Sequence, residues 1–208
     1  MKKRLCLFLI SILLFVSISG AFAAGASFGM RPYVSGSFGV NLCHPTAGYL
    51  EKYPGDESAG TPFFRTSSCL AVDAQLLEAS VSFGNGSGIS TGAGFSFINV
   101  SQSRPWGRSI LKPYYCLGVS LDLAYCFSSR FALSAKYRYL HCTFTGSSAV
   151  FIAHDFELAP AYTVAAPWAV DIAVTLPLTV SLKADAISFR AGVGVQVFLD
   201  SRRMGGIE

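Results

Sequence analysis

Hydrophobic and polar side chains alternate with a period of two along most of the chain after its first 23 residues. The clearest case is 168–182, where every second residue from Trp168 to Leu182 is apolar and the residues between them are Ala, Asp, Thr, Pro and Ser. Such alternation is typical of a β-strand with two different faces, because successive side chains point to opposite sides of the sheet. The same test predicts eight strands: 31–42, 70–83, 89–97, 115–127, 131–141, 154–164, 168–182 and 187–199.

The predicted connections have two lengths. Short turns are expected at 84–88, 128–130, 165–167 and 183–186, and longer loops at 43–68, 98–112 and about 143–153. Short turns on one rim and mostly longer loops on the other are typical of outer-membrane barrels, and a strand of 13 residues tilted by about 40° crosses about 33 Å. The pattern therefore predicts an all-β fold, an eight-stranded antiparallel up-and-down transmembrane β-barrel, with a β-bulge where 70–83 changes phase at Leu76 and Leu77.

Alternation alone does not decide which face is inside, since a lipocalin has eight strands with an apolar interior. Composition favours the opposite arrangement: only 13% of residues are charged, and the polar face is mostly Gly, Ser, Ala and Thr. Small residues and a few opposite charges fit the narrow interior of an eight-stranded barrel. We expect the charged inward side chains to form a salt-bridged network in the lumen, and a catalytic or pore role for them is the alternative. These residues are Asp122, Lys136, Arg138, Glu157, Asp171 and Arg190.

The N-terminal segment has the pattern of a secretory signal peptide, with an N-terminal membrane anchor as the alternative. A basic start, Lys2 to Arg4, is followed by an apolar stretch and by a small-x-small cleavage site at Ala21 to Ala23. We therefore expect a signal peptide at 1–23, the barrel at 24–200 and a C-terminal tail at 201–208. Removal of three of the 16 basic residues leaves a near balance with 12 acidic ones, so no nucleic-acid partner is expected.

Cysteine positions predict two disulfides. If Phe127 faces Phe131 across the turn 128–130, the antiparallel register pairs Asp122 with Lys136 and Cys116 with Cys142. A second pair, Cys43 and Cys69, brackets the longest loop. An exported chain can keep disulfides, although small reduced core residues are the alternative. Zinc binding was weighed because His residues adjoin Cys43 and Cys142, but their spacing is not that of a metal site, so no metal or cofactor is expected.

The strand from Phe189 to Phe198 resembles the last strand of the small eight-stranded outer-membrane barrels of the OmpW and OmpX sort. This resemblance extends over the pattern of the mature chain rather than over a sharp motif. It implies outer-membrane lipids and the barrel-assembly machinery as partners, and a narrow conduit or binder for small hydrophobic solutes as function. Such families usually end at an aromatic residue, whereas here ten residues follow Phe198, so an internal assembly signal is expected there.

The alternative function is that of a structural or adhesive surface protein, whose long loops bind host or envelope partners. A basic, aromatic-bearing loop is the candidate for anionic headgroups or surface ligands, with a merely solvated loop as the alternative; its residues are Arg104, Trp106, Arg108 and Lys112. A lipid-modifying enzyme is not expected, because none of the three histidines, His44, His141 and His154, has a serine motif attached to it.

Overall fold

The structure, a computed structural model, describes most of the chain between Ser27 and Leu199. The described ranges are 27–30, 32–45, 65–83, 87–101, 113–146, 148–167, 170–183 and 186–199. The predicted signal peptide, the predicted tail and the centres of the two longest loops lie outside these ranges. The described residues include no helix that is long and apolar enough to span a membrane.

Ten β-strands make up the described chain. They are β1 (Ser27–Met30), β2 (Tyr33–Pro45), β3 (Arg65–Ser82), β4 (Gly88–Ser101), β5 (Tyr114–Cys126), β6 (Phe131–Phe144), β7 (Val150–Ala165), β8 (Val170–Thr175), β9 (Leu178–Lys183) and β10 (Ala186–Leu199). Several run further into the predicted loops than alternation indicated, because segments such as the start of β3 are polar on both faces and carry no periodic signal.

The ten strands form one closed antiparallel barrel, as predicted. Its wall has eight positions, because β1 with β2 and β8 with β9 each occupy one; we call these eight positions staves. Each stave pairs with its neighbours along the chain, and β10 pairs with β2 to close the sheet. The strands β1 and β2 follow one another along β3, and β8 and β9 follow one another between β7 and β10. The predicted bulge is present, since the β3–β4 register shifts between Gln75 and Leu77.

The break between β8 and β9 coincides with Pro177, whose nitrogen has no hydrogen to donate to a ladder. The wall nevertheless stays bonded there. The Leu176 N–H donates to the Pro160 carbonyl at 3.1 Å, and the Gly192 N–H donates to the Pro177 carbonyl at 3.1 Å. The proline therefore interrupts one stave without opening the barrel.

Burial alternates along the staves, with large apolar side chains outside and, in the middle and at the turn end of the lumen, mostly polar ones inside. Phe38 and Leu77 are 64% and 68% exposed, whereas Arg138 and Asp155 are 1% and 0% exposed. This is the reverse of a soluble protein and agrees with the predicted orientation of the two faces. Register also agrees with prediction, since Cys116 lies opposite Cys142 and Asp122 opposite Lys136.

The closing seam between β2 and β10 depends on glycine. Gly39 and Gly192 are direct partners across it. A Cβ atom at Gly192 would lie 2.7 Å from the Phe38 carbonyl oxygen, closer than real Cβ atoms approach a backbone. A side chain at either residue would push the two strands apart. The strands β2 and β10 can therefore pair closely here because both residues are glycine.

Candidate functional site

The middle of the barrel is crossed by a cluster of buried ion pairs. The Arg138 guanidinium on β6 reaches Asp73 on β3, where Nε and Nη2 donate to the two carboxylate oxygens at 2.9 and 2.8 Å. The same Nη2 lies 2.8 Å from Glu157 Oε2. Lys136 Nζ lies 2.8 Å from Asp73 and 3.9 Å from Glu157. Because β3 and β6 are three staves apart, these contacts span the lumen. We call these four residues the ion-pair cluster.

A second ion pair lies beside the cluster. Arg190 on β10 pairs with Asp155 on β7, across the broken stave of β8 and β9. Thr179 on that stave donates a hydrogen bond of 3.0 Å to Glu157. Buried charges destabilise a fold unless they are paired. Each described ion pair joins two different staves, which either are not adjacent in the barrel or are paired to each other by a strand ladder. The interior polar groups therefore tie opposite walls together.

The predicted network contained four of these charges and missed two. Asp73 and Asp155 were not among the predicted network residues, although both follow the inward parity of their strands. Both lie within predicted strands, Asp73 in 70–83 and Asp155 in 154–164, so parity applied to every charged residue of the predicted strands assigns both to the inward face.

The predicted register of Asp122 opposite Lys136 is confirmed, but their side chains have other partners. The two are rung partners, but the Lys136 ammonium turns to Asp73 and Glu157, and the Asp122 carboxylate accepts a hydrogen bond from the Tyr33 hydroxyl. Tyr33 is on β2, three staves from Asp122, so this contact also crosses the lumen. Register fixes which residues face each other along a ladder, whereas long side chains in a narrow barrel also reach across it.

At the end of the barrel nearer the longer loops, the interior is a packed apolar layer. It contains Cys69, Ala71, Ile98, Val100, Tyr114, Cys116, Leu140, Cys142, Phe144 and Ala153. The predicted Cys116–Cys142 disulfide is present in this layer. Lys183 Nζ closes it from one side, at 2.6 Å from the Tyr114 hydroxyl and 4.4 Å from the centre of its ring.

The second predicted disulfide, between Cys43 and Cys69, is wrong. Both thiols are buried and free. Cys43 lies opposite Arg65, and Cys69 lies opposite Gly39, so the two cysteines are four residues out of register on neighbouring strands. Four residues correspond to about 13 Å along a strand, well beyond the reach of a disulfide. The loop predicted at 43–68 did not indicate this offset, because β2 and β3 both continue into it.

At the opposite end, near the short turns, the interior holds a cavity of about 210 Å³. Small and polar side chains line it, including several serines and the carboxylates of Glu78, Asp122 and Asp171. Asp171, predicted as part of the luminal network, is thus buried at the turn end rather than in the ion-pair cluster. We call this space the turn-end cavity.

The outer wall carries an apolar groove of about 750 Å³, which we call the outer groove. It runs between two rows of outward side chains. Each row crosses the neighbouring strands from β5 to β2, in the direction of the hydrogen bonds between them. One row is Leu123, Ala135, Leu158, Leu178, Ala191 and Val40, and the other is Leu121, Tyr137, Phe156, Val180, Phe189 and Leu42. The strand ladder behind the groove is continuous, so the groove does not lead into the lumen.

An aromatic cluster borders the outer groove on β6 and β7. The Tyr137 hydroxyl lies 2.8 Å from His154 Nδ1. The Tyr139 ring packs edge-on against both His154 and His141, with centroids 5.5 and 5.7 Å apart. We call these four residues the Tyr–His cluster. The group beside His154 Nδ1 is thus a tyrosine hydroxyl.

The predicted surface-loop residues Arg104, Trp106, Arg108 and Lys112 lie outside the described residues. Within the described ranges, no group of three or more His, Cys, Asp or Glu side chains is placed to hold a metal ion. The site residues that the structure brings together are therefore those of the lumen and of the outer wall.

A scan against protein-family models and a search of the curated proteins find no match. Among solved structures, the chain is similar to Ail, the attachment invasion locus protein of Yersinia pestis, with 11% identity over 82% of this chain and 99% of that chain and a TM-score of 0.45. For Ail in complex with the heparin analogue sucrose octasulfate, the values are 8%, 82%, 99% and 0.42.

Neisserial surface protein A is similar at 13% identity over 83% of this chain and 98% of that chain, with a TM-score of 0.46. Similarity at this level transfers no residue role to this chain. The finer resemblance to OmpW and OmpX stays a prediction.

Proposed function

We propose that the protein is an integral outer-membrane β-barrel that serves as a rigid anchor and presents its long loops to partners outside the cell. The observation that carries this proposal is an apolar exterior wrapped around a filled, ion-paired interior. The exterior has the surface of a membrane protein, and the interior leaves the loops as the parts that are free to bind.

The outer surface supports membrane insertion. Large apolar side chains cover it on every long stave, far beyond the apolar patches that monomeric soluble proteins expose. The 13 residues of β5, tilted by about 40°, cross about 33 Å, which matches the thickness of a hydrocarbon layer. A closed sheet also satisfies its backbone hydrogen bonds without water. The predicted signal peptide favours an outer membrane as the destination.

The interior argues for an anchor rather than for the conduit that the OmpW resemblance implies. The ion-pair cluster crosses the lumen, and the apolar layer fills it on the loop side. The turn-end cavity is small and lined by polar side chains, which does not suit a hydrophobic solute. The outer groove is apolar, but an unbroken ladder separates it from the lumen.

Insertion and conduction are tested together on the refolded mature protein. We expect it to float with phospholipid vesicles, to resist carbonate extraction, and to give no steady conductance in a planar bilayer. Deletion of residues 46–64 should leave both results unchanged. Conductance that appears in the intact protein would support the conduit instead, and failure to float would remove the membrane proposal altogether.

Presentation of a basic loop is tested by binding to a polyanion. Replacement of Arg104, Arg108 and Lys112 by Ser should weaken binding of vesicle-embedded protein to immobilised heparin by about tenfold or more, because each exposed contact contributes a few tenths to 1 kcal/mol. Arg130→Ser is the control, since this exposed residue lies at the opposite rim. Equal binding by all variants would contradict this role for the loop.

A further inference from the structure

We propose that the outer wall holds one lipid molecule with an anionic phosphate headgroup, its acyl chain in the outer groove and its headgroup at the Tyr–His cluster. The inference rests on the proposed membrane location. It goes beyond that location, because it assigns one position on the wall and one headgroup chemistry rather than a general coat of lipid.

The outer groove has the shape of a track for a hydrocarbon chain. Its two bordering rows are two residues apart along each strand, a spacing of about 6.6 Å. Ala135 and Ala191 leave gaps in one row, whereas Phe156 and Phe189 stand in the other. A single polymethylene chain can therefore lie between the rows and contact apolar side chains on both sides.

The Tyr–His cluster gives the groove a polar end. Tyr137 belongs to both, since its ring borders the groove and its hydroxyl lies 2.8 Å from His154 Nδ1. When this hydroxyl donates to Nδ1, the neutral imidazole carries its proton on Nε2, which is then free to donate to a phosphate oxygen. Tyr139, packed between His141 and His154, supplies a hydroxyl on the same patch.

Charge complementarity selects the headgroup. Among the outward side chains that the structure describes in the strands, none is Lys, Arg, Asp or Glu, and His141 and His154 carry ring N–H groups that can donate to an anion. No described outward carboxylate competes for them or repels an anion. A phosphate group without a balancing ammonium thus fits this patch better than a zwitterionic headgroup.

The test is native mass spectrometry of the refolded full-length mature protein in neutral detergent, titrated with phosphatidylglycerol or with phosphatidylcholine of the same acyl chains. We expect one saturable phosphatidylglycerol per barrel, bound about tenfold more tightly than phosphatidylcholine, as one charge-assisted hydrogen bond provides. Glycerol phosphate, which has the headgroup chemistry without the chain, should not displace it at equal concentration.

Variants separate the chain contact from the headgroup contact. Ala135→Leu narrows the groove and should weaken both lipids, whereas His154→Phe removes the donor and should abolish only the preference for phosphatidylglycerol. Ala79→Leu makes the same change at an exposed outward alanine on β3, outside the groove, and should leave binding unchanged. If Ala135→Leu fails to fold by circular dichroism, Ala191→Leu replaces it in the same row.

Three results would overturn the lipid site. These are lipid binding without saturation that is equal in all variants, displacement by glycerol phosphate alone, and a dimer of the chain that excludes lipid from this face. Vesicle flotation of the same preparations keeps the two proposals apart. A protein that floats but shows no saturable lipid contradicts the lipid site alone, whereas a protein that does not float contradicts the membrane location on which the site rests.

Discussion

The two halves of the barrel interior are built differently, although the same eight staves enclose both. Toward the longer loops, the interior is a packed apolar layer with a disulfide. Toward the short turns, it is a cavity of about 210 Å³ lined by serines and carboxylates. The ion-pair cluster lies between them. One half therefore resembles the core of a soluble protein, and the other resembles a small polar vestibule.

This difference predicts where substitutions change the stability of the barrel most. A packed layer has no room for added atoms, and its stability depends on contacts that every truncation removes. A cavity accepts added methyl groups at little cost. The charges between the halves add contacts across the lumen, and these link staves that the ladder does not pair. We therefore expect the effects of substitution to fall from the ion-pair cluster, through the apolar layer, to the turn-end cavity.

The largest effect is expected at Arg138. Arg138→Met removes one of the two cations that pair with Asp73 and Glu157, which leaves one buried carboxylate without a balancing charge, and should lower the free energy of unfolding by about 3–5 kcal/mol. The measurement is urea unfolding in detergent micelles. Arg130→Met, which removes an exposed charge at the turn rim, should change it by about 0.5 kcal/mol or less. Similar losses in both variants would show that the cluster does not hold the two halves together.

The disulfide should come next. Reduction, or the double substitution Cys116→Ala and Cys142→Ala, frees a loop of 26 residues in the unfolded chain. The chain-entropy model gives a loss of about 3 kcal/mol. Hydrogen exchange should then rise in β5 and β6 near the loop end and stay low near the turn between them. Cys126→Ala, at a cysteine outside the disulfide, is the control; uniform exchange along both strands would argue against two distinct halves.

The smallest effects are expected from two substitutions on one strand, which compare the two halves of the interior directly. Ala153 and Ala161 both face inward from β7, the first in the apolar layer and the second beside the turn-end cavity. Ala153→Val should lower stability by about 1–3 kcal/mol through overpacking. Ala161→Val should stay within about 0.5 kcal/mol, because the cavity receives the added methyl groups. Equal effects in the same unfolding assay would mean that the two halves are packed alike.

Local pattern was enough for the features that depend on neighbouring strands. Alternation predicted the eight staves, composition predicted which face turns inward, and counting from the turn 128–130 predicted that Cys116 faces Cys142. The same reasoning failed for Cys43 and Cys69, because their proximity to a loop was used in place of a register. Ladder partners can be counted where a tight turn sets the start, and cannot where a long loop leaves the register free.

The sequence by itself determined that the chain forms a barrel with apolar side chains outside, since a period of two assigns each residue to a face and the low content of charged residues decides which face is outside. Only the tertiary structure decided that Arg138 joins Asp73 and that Tyr33 joins Asp122 across the lumen. These contacts depend on how far the sheet curves and how long each side chain is. Curvature brings together residues that neither spacing nor register relates.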